Sequence, residues 1–217
     1  MTVLINSGIY DAHEVGHLLA VDVEQVIRWS TPDAKGRPAI VPPSQGRSFS
    51  FLDLVSLSVV ATLRHRGIAD RAVRSGVRAL QQEHDVRQPL AHRAVLDTVG
   101  TTGMSFVAHL PGGWYDVGAG TQGAFESVVR VYFSALTYDE IGVASAWRPF
   151  EHVTLDPRIQ AGAPCVTGTR IPTATIARVL ESEPAEEIAQ EYGITIDEVE
   201  AADKFEQQLI DGHGLAA

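Results

Sequence analysis

Within residues 11–29, DAHEVGHLLAVDVEQVIRW, the chain writes a helix-start signal twice, and few folds accommodate two helices begun so close together. Asp11 followed by Glu14, and Asp22 followed by Gln25, both fit the capping box, in which the first side chain accepts a backbone N–H and the second reaches back to the cap residue. Val15, Leu18 and Leu19 supply an apolar stripe behind the first box, and Val23, Val26 and Ile27 behind the second. Trp29 and the turn residues Ser30, Thr31 and Pro32 close the pair. The spacing predicts a helix-turn-helix, whose second helix can lie in a DNA major groove.

The same stretch contains His13-Glu14-Val15-Gly16-His17, the H-E-x-x-H pattern of zinc proteases. On a helix, His13 and His17 would share one face and could share a metal, with Glu14 as general base. A third ligand is missing, because Ala20 and Val23 stand where the extended motif needs Gly and His. As solvent-facing helix residues both histidines are explained without a metal, so neither a metal site nor a cofactor is expected.

A formal net charge of −10 over 217 residues argues against nucleic-acid binding until it is divided along the chain. Residues 1–95 carry 11 Lys or Arg against 9 Asp or Glu, and residues 96–217 carry 6 against 18. Residues 28–78 alone hold 9 basic and 3 acidic side chains, a local excess of the kind phosphate contact requires. The acidic remainder would be repelled by DNA and is suited to a basic protein partner. Hydrophobic content of 45% with 20% charged residues is that of an ordinary globular protein. The first cation is Arg28 and the long apolar run from Phe51 to Leu63 is broken by Asp53, so neither a secretory signal nor a membrane span is expected, and a cytoplasmic location is. The single cysteine, Cys165, excludes an intrachain disulfide and reads as a small buried hydrophobe.

Beyond the paired helices, TPDAKGRPAIVPPSQGRSFSF is punctuated by Pro and Gly too often for a helix, with Ala39-Ile40-Val41 its only candidate strand. It reads as an extended loop or a two-stranded wing carrying Lys35, Arg37 and Arg47. Ser50 and Asp53 predict the cap of a third, core helix ended by Gly67. A fourth is predicted from about Asp70 to Glu83, with Val73, Val77 and Leu80 inward. Arg71, Arg74 and Arg78 fall on another face of it, either as a solvated stripe or as phosphate contacts.

The order of Arg28-Trp29, Gly46-Arg47-Ser48-Phe49, Phe51-Leu52-Asp53-Leu54 and Leu63-Arg64-His65-Arg66-Gly67-Ile68 resembles the winged-helix DNA-binding domain of the MerR family of transcription regulators, over residues 9 to about 83. The resemblance implies that Gln25 and Arg28 belong to the recognition helix and that Arg47 is the wing residue meeting phosphate. The long coiled-coil helix through which that family dimerises is not matched, since Pro89 interrupts the chain soon after Glu83 and no heptad run follows. The family's sensing function is therefore not carried over.

From Ala94 to Arg148 the texture changes to short apolar segments between glycines. Val95 to Val99, Ser105 to His109 and Trp114 to Val117 read as strands of a small antiparallel sheet, with Pro111-Gly112-Gly113 as a hairpin turn. Phe125 to Phe133 reads as a helix or a strand, the helix preferred. Leu136 to Tyr138 and Val143 to Trp147 flank the hairpin loop Asp139-Glu140-Ile141-Gly142. Trp114, Tyr115, Trp147 and Phe150 read as core or interface aromatics.

After a Pro- and Gly-rich structured loop, three helices are predicted: Thr173 to Glu181, Pro184 to Tyr192, and one opened by a Thr195–Glu198 capping box running to about Leu209. Their surface is acidic through Glu181, Glu183, Glu186, Glu187, Glu191, Asp197, Glu198, Glu200 and Asp203, which argues against DNA contact there. Asp156-Pro157-Arg158, the G-x-P of Gly162 and Pro164, Gly168-Thr169-Arg170-Ile171-Pro172, Glu186-Glu187-Ile188-Ala189, Tyr192 and Glu198-Val199 resemble the small antitoxin-like family catalogued as domain of unknown function 433. Its members are thought to be antitoxins of the VapB type, encoded beside PIN-like ribonuclease toxins, and the full layout is similar to an antitoxin of that group. Arg170 is open to two readings, a bidentate grip on a partner carboxylate or a loop stabiliser held by Asp156.

The expected fold class is α+β: a winged helix-turn-helix over residues 8–88, a small β-containing middle region over 89–149, and a three-helix module with helix-turn-helix character over 150–210. The resemblance implies a non-enzymatic antitoxin and autorepressor that binds operator DNA as a homodimer and neutralises a PIN-like ribonuclease toxin. Gln25, Arg28, Lys35, Arg37, Arg47, Arg71 and Arg74 are the candidate DNA contacts, and Asp156, Arg158, Gly168, Thr169, Arg170 and Glu187 the candidate partner contacts. A ligand-responsive regulator without a toxin is the alternative, and a zinc hydrolase through His13, Glu14 and His17 the remote one.

Overall fold

The computed structural model describes residues 8–44, 46–65, 67–95, 135–212 and 214. A short strand, β1 (Gly8–Tyr10), leads into α1 (Ala12–Leu19) and α2 (Val23–Ser30). The first capping box forms in full: the Asp11 carboxylate accepts the N–H of His13 and Glu14 at 2.7 and 2.9 Å, and Glu14 Oε2 accepts the Asp11 N–H at 2.7 Å. The second does not. Asp22 makes no side-chain cap bond, and α2 is started by backbone bonds from Gln25 and Val26 to the Asp22 carbonyl. Ala20 turns the chain in the left-handed region at φ 50°, and a Cβ on Gly16 would lie 2.8 Å from the Val21 carbonyl, so this turn depends on a glycine at its closest approach.

Of the two readings, extended loop or two-stranded wing, the loop holds. None of the described residues in 31–48 lies in a strand, and Ala39-Ile40-Val41 is instead strapped to the core, with the N–H groups of Ile40 and Val41 both donating to the Trp29 carbonyl. Ile40 and Val41 are buried, which uses their apolar side chains without a ladder. The ladder that does form joins β2 (Phe49–Ser50) antiparallel to β1, a pairing too short to leave a periodic trace in the sequence.

Helix α3 (Phe51–His65) is buried on every side over most of its length. Ser50 and Asp53 cap it reciprocally, at 2.9 Å from the Ser50 N–H to Asp53 Oδ2 and 3.2 Å from the Asp53 N–H to Ser50 Oγ. The fully buried Asp53 carboxylate also accepts the Ser44 N–H, Ser44 Oγ and Gln88 Nε2, so its charge is met by donors from three stretches of chain. Gly67 ends the turn at φ 84°, and α4 (Asp70–His84) follows with Val73, Val77 and Leu80 inward as expected.

A 3-10 turn, Pro89–Ala91, brings His92 into a β-bridge with Val143. Residue 95, expected to open a strand, is helical, as are residues 93 and 94. The other expectations for 96–134, including Trp114 and Tyr115, lie outside the described residues. Strands β3 (Leu136–Tyr138), β4 (Ala144–Phe150), β5 (Val153–Leu155) and β6 (Cys165–Val166) form an antiparallel sheet in that order. The β3–β4 loop is the expected one, closed by Asp139 Oδ1 accepting from Ile141 and Val143 and by Gly142 at φ 79°. The sheet runs across the 149/150 boundary expected from the sequence, because β5 pairs with β4 while belonging to the carboxy-terminal stretch.

Helices α5 (Thr173–Leu180), α6 (Ala185–Tyr192) and α7 (Ile196–Ile210) complete an α+β fold. The Thr195–Glu198 capping box forms, and Gly193 makes the α6–α7 corner at φ 66°. Val166, Ile176, Ile188, Ala189, Val199 and Ala202 make a small core of their own. Phe205 and Leu209, at the far end of α7, belong instead to the main core with Leu19, Trp29, Trp147 and Leu155. Burial of these apolar side chains thus ties the last helix to the first two. No described helix is long and apolar enough to cross a membrane.

Candidate nucleic-acid and partner interfaces

Helix α2 is divided cleanly by its packing. Val26 and Trp29 are fully buried, while Glu24, Ile27 and Arg28 face out and Gln25 is half-buried. The expected inward position of Ile27 is therefore corrected: at 48% exposure it stands on the outer face. Two bonds to one carboxylate fix the helix, Trp29 Nε1 donating to Asp70 Oδ1 at 3.3 Å and Arg64 pairing with the same oxygen at 2.6 Å. Asp70, on α4, thus joins α2 through Trp29 and α3 through Arg64, behind the outer face of α2.

Besides Gln25, the six charged candidate DNA contacts separate into three groups. Arg28, Lys35, Arg47 and Arg71 are exposed and carry no ion pair among the described residues, leaving their charges available to phosphate. Arg37 is exposed but paired at 2.5 Å with Asp33. The backbone N–H of Arg37, and then its guanidinium, hold the Asp33 carboxyl below its ordinary range, so this cation arrives already partly neutralised. Arg74 is not an interface residue: it is 8% exposed and donates to the Pro38 carbonyl, anchoring the loop over α4. Burial pulls its guanidinium down from the usual arginine value. The expected three-arginine stripe is thereby reduced to Arg71 and Arg78, because the loop the sequence could not place covers the residue between them.

His13, Glu14 and His17 are exposed, and Glu14 is committed to the α1 cap. Among the described residues no group of three His, Cys, Asp or Glu could hold a metal, and none of them adds a third ligand to His13 and His17.

In the carboxy-terminal loop, Asp156 grips Arg158 rather than Arg170. Its oxygens accept Arg158 Nε at 2.8 Å and Nη2 at 2.6 Å, and its Oδ1 also accepts the Arg158 N–H at 2.8 Å. Burial pushes the Asp156 carboxyl up, but the Arg158 bonds outweigh it and leave the group below its ordinary range. The Asp156 reading of Arg170 is thus overturned by a nearer competitor. The 168–171 turn is closed by Thr169, which donates to the Val166 carbonyl and accepts the Ile171 N–H, with Gly168 at φ 80°. Gln160 Nε2 holds the Arg170 carbonyl at 2.9 Å, while the Arg170 guanidinium is exposed and has no partner among the described residues. Glu187 is exposed on α6 with Glu186 and Glu191, Glu183 is exposed just before that helix, and Asp197 follows on α7. Cys165 is buried as expected, and burial pushes its thiol up, away from reactivity.

One contact that the sequence does not announce joins the two ends of the chain. Tyr10 Oη, on β1, donates at 2.9 Å to the buried carbonyl of Gly162. The partners lie so far apart in sequence that no local pattern could have paired them.

In the carboxy-terminal module, residues 153–205 match the family described as "Protein of unknown function (DUF433)". Among solved structures, the X-ray crystal structure of Rv2018 from Mycobacterium tuberculosis is similar to this chain at 19% identity, covering 90% of this chain and 97% of that one with a TM-score of 0.69. At that identity the likeness is one of fold. A comparison with curated proteins finds no match.

Proposed function

We propose that the chain is an antitoxin of the VapB type and its own repressor, with a MerR-like amino-terminal head on operator DNA and a carboxy-terminal module that holds a PIN-like ribonuclease toxin. The observation that carries this reading is the partition of exposed charge along the described residues. Arg28, Lys35, Arg47 and Arg71 present exposed cations with no ion pair among the described residues, and Glu183, Glu186, Glu187, Glu191 and Asp197 present exposed carboxylates, likewise unpaired among them, just before and along α6 and at the start of α7. Cations held at fixed positions on a helix and its flanking loop suit a phosphate backbone, and Gln25 beside Arg28 suits base edges. A ribonuclease groove is basic because its substrate is anionic, so an acidic module with an unpartnered Arg170 at its loop fits against it and is steered to it. Two copies would place their α2 helices in half-sites about 34 Å apart.

Fluorescence anisotropy with duplexes tiling the region upstream of the protein's own reading frame tests the DNA half. Arg28→Ala and Arg47→Ala are expected to weaken binding, and Arg47→Ala to reduce the salt slope by about 1 while weakening all sequences alike. Unchanged affinity in both variants would remove the assigned contacts.

A further inference from the structure

Helix α2 carries on its outer face one side chain that neither the core nor the partition of charge uses. Counted at about 100° per residue, Glu24, Ile27 and Arg28 fall within one arc, opposite the buried Val26, Trp29 and Ser30. The inner residues settle which way that arc points. Trp29 donates through Nε1 to Asp70 and accepts the N–H groups of Ile40 and Val41 at its carbonyl, so the helix cannot roll without breaking both sets of contacts. Gln25 lies to one side of the arc and is half-buried.

Four large apolar side chains stand exposed among the described residues. Ile141 is in the β3–β4 loop, and Ile196 and Ile210 are the first and last residues of α7, which leaves Ile27 alone inside a helix. A single exposed hydrophobe means little by itself. The surroundings of Ile27 give it a meaning. Its neighbours on the face, Glu24 and Arg28, are both charged and exposed, too charged a frame for the apolar centre of a protein interface. The loop after α2 adds the exposed Lys35 and Arg47, and α4, joined to α2 through Asp70, adds the exposed Arg71. Cations so placed suit a duplex. In its major groove thymine presents a C5-methyl group, an apolar partner among hydrogen-bonding atoms. Phosphate would repel Glu24, so the arc suits the base edges on the floor of the groove rather than the backbones at its walls.

We propose that Ile27 is a sequence-discriminating residue of α2: its side chain packs on the C5-methyl group of a thymine in the operator half-site, beside the base pair that Arg28 meets. The inference rests on the DNA-binding reading above and adds to it one base that the site must contain. Replacing thymine by uracil removes the methyl group and leaves every hydrogen-bonding atom of the base pair in place, so that exchange isolates the contact.

In the test, upstream duplexes that bind the full chain are resynthesised with each thymine replaced in turn by uracil. They are titrated by anisotropy against the wild type, Ile27→Ala, Ile27→Gln and Arg28→Ala, with thermal melting to establish that each variant is folded. At one position in a half-site the wild type is expected to lose about fourfold in affinity, the worth of one buried methyl group. Both Ile27 variants are expected to bind the thymine and uracil duplexes equally at that position, while Arg28→Ala binds both more weakly and keeps the ratio between them. Because the readout is a ratio between two duplexes on one protein, a general loss of affinity does not imitate the result. Uracil that costs the wild type nothing at any position, or costs the Ile27 variants as much as the wild type, overturns the contact and leaves the DNA reading standing. Absence of Arg28-dependent binding to every duplex removes both. If Ile27→Ala does not melt cooperatively, Ile27→Gln decides, since glutamine is a good helix former at an exposed position.

Discussion

Removing one oxygen from Tyr10 should loosen the join between the two ends of the molecule. Tyr10→Phe keeps the ring in a site that is 5% exposed but deletes the 2.9 Å bond to the Gly162 carbonyl, leaving a buried acceptor without that donor. Such a loss costs about 2 kcal/mol, which in a chain of this size lowers the melting temperature by about 4–8 °C. Gly162→Ala should cost more. Its Cβ would fall 2.2 Å from Tyr10 Oη and 2.8 Å from Ile9 Cδ1, on a backbone at φ 91° that disfavours any side chain. Because the worst collision is with the hydroxyl, the double variant should lose less than the sum of the two, by at least about 0.5 kcal/mol. A pH series gives a second readout. Burial, then the charges of Glu14 and Asp156, push the Tyr10 hydroxyl well above its ordinary value. The folded state therefore keeps a proton that the unfolded chain gives up near pH 10, so this contribution is complete below about pH 10 and is lost progressively as pH rises from there toward the raised folded value. Calorimetric melts from pH 7 to 11 should show a shallower alkaline fall for Tyr10→Phe than for the wild type. Equal melting temperatures at pH 7 with strictly additive costs in the double variant would refute the argument.

Other perturbations separate structural from interfacial groups. Asp53→Ala strands the donors of Ser44, Ser50 and Gln88 and should destabilise by about 3 kcal/mol, a fall of about 6–12 °C in melting temperature. Arg74→Ala should lower the melting temperature by freeing the Pro38 carbonyl, whereas Arg71→Ala should leave it unchanged and weaken DNA binding instead. The Asp156 carboxyl lies below its unfolded value, so its contribution is present above about pH 4 and lost as pH falls through the folded value. Arg158→Ala should flatten that acid limb in urea titrations from pH 5 to 2.

Where the sequence spoke clearly it spoke locally. The caps Asp11–Glu14, Ser50–Asp53 and Thr195–Glu198 were legible because both partners lie within one helical turn. Asp22–Gln25 carries the same signature and fails, since Asp22 follows a corner whose geometry is set by Gly16 and Ala20 and its side chain is not drawn into the cap. Arg71 and Arg74 were indistinguishable by spacing, and a loop from elsewhere in the chain decided which one reached solvent. The choice between Arg158 and Arg170 as partner of Asp156 was settled by proximity, with the nearer residue able to offer both its backbone and its side chain. Signs of charge could be read along the chain. The seating of α7 against α2 could not, because it follows from Phe205 and Leu209 sharing a core with residues at the opposite end.

Under the proposed function this chain silences a ribonuclease while it reads DNA. Growth of cells induced for the PIN-like product of the adjacent reading frame, with and without this chain, measures it most directly when followed by co-purification of the pair. Restored growth and co-elution, both lost when α6 carries Glu186→Lys and Glu187→Lys together, are the expected result. Toxicity undiminished by the chain, with no co-elution, would contradict it.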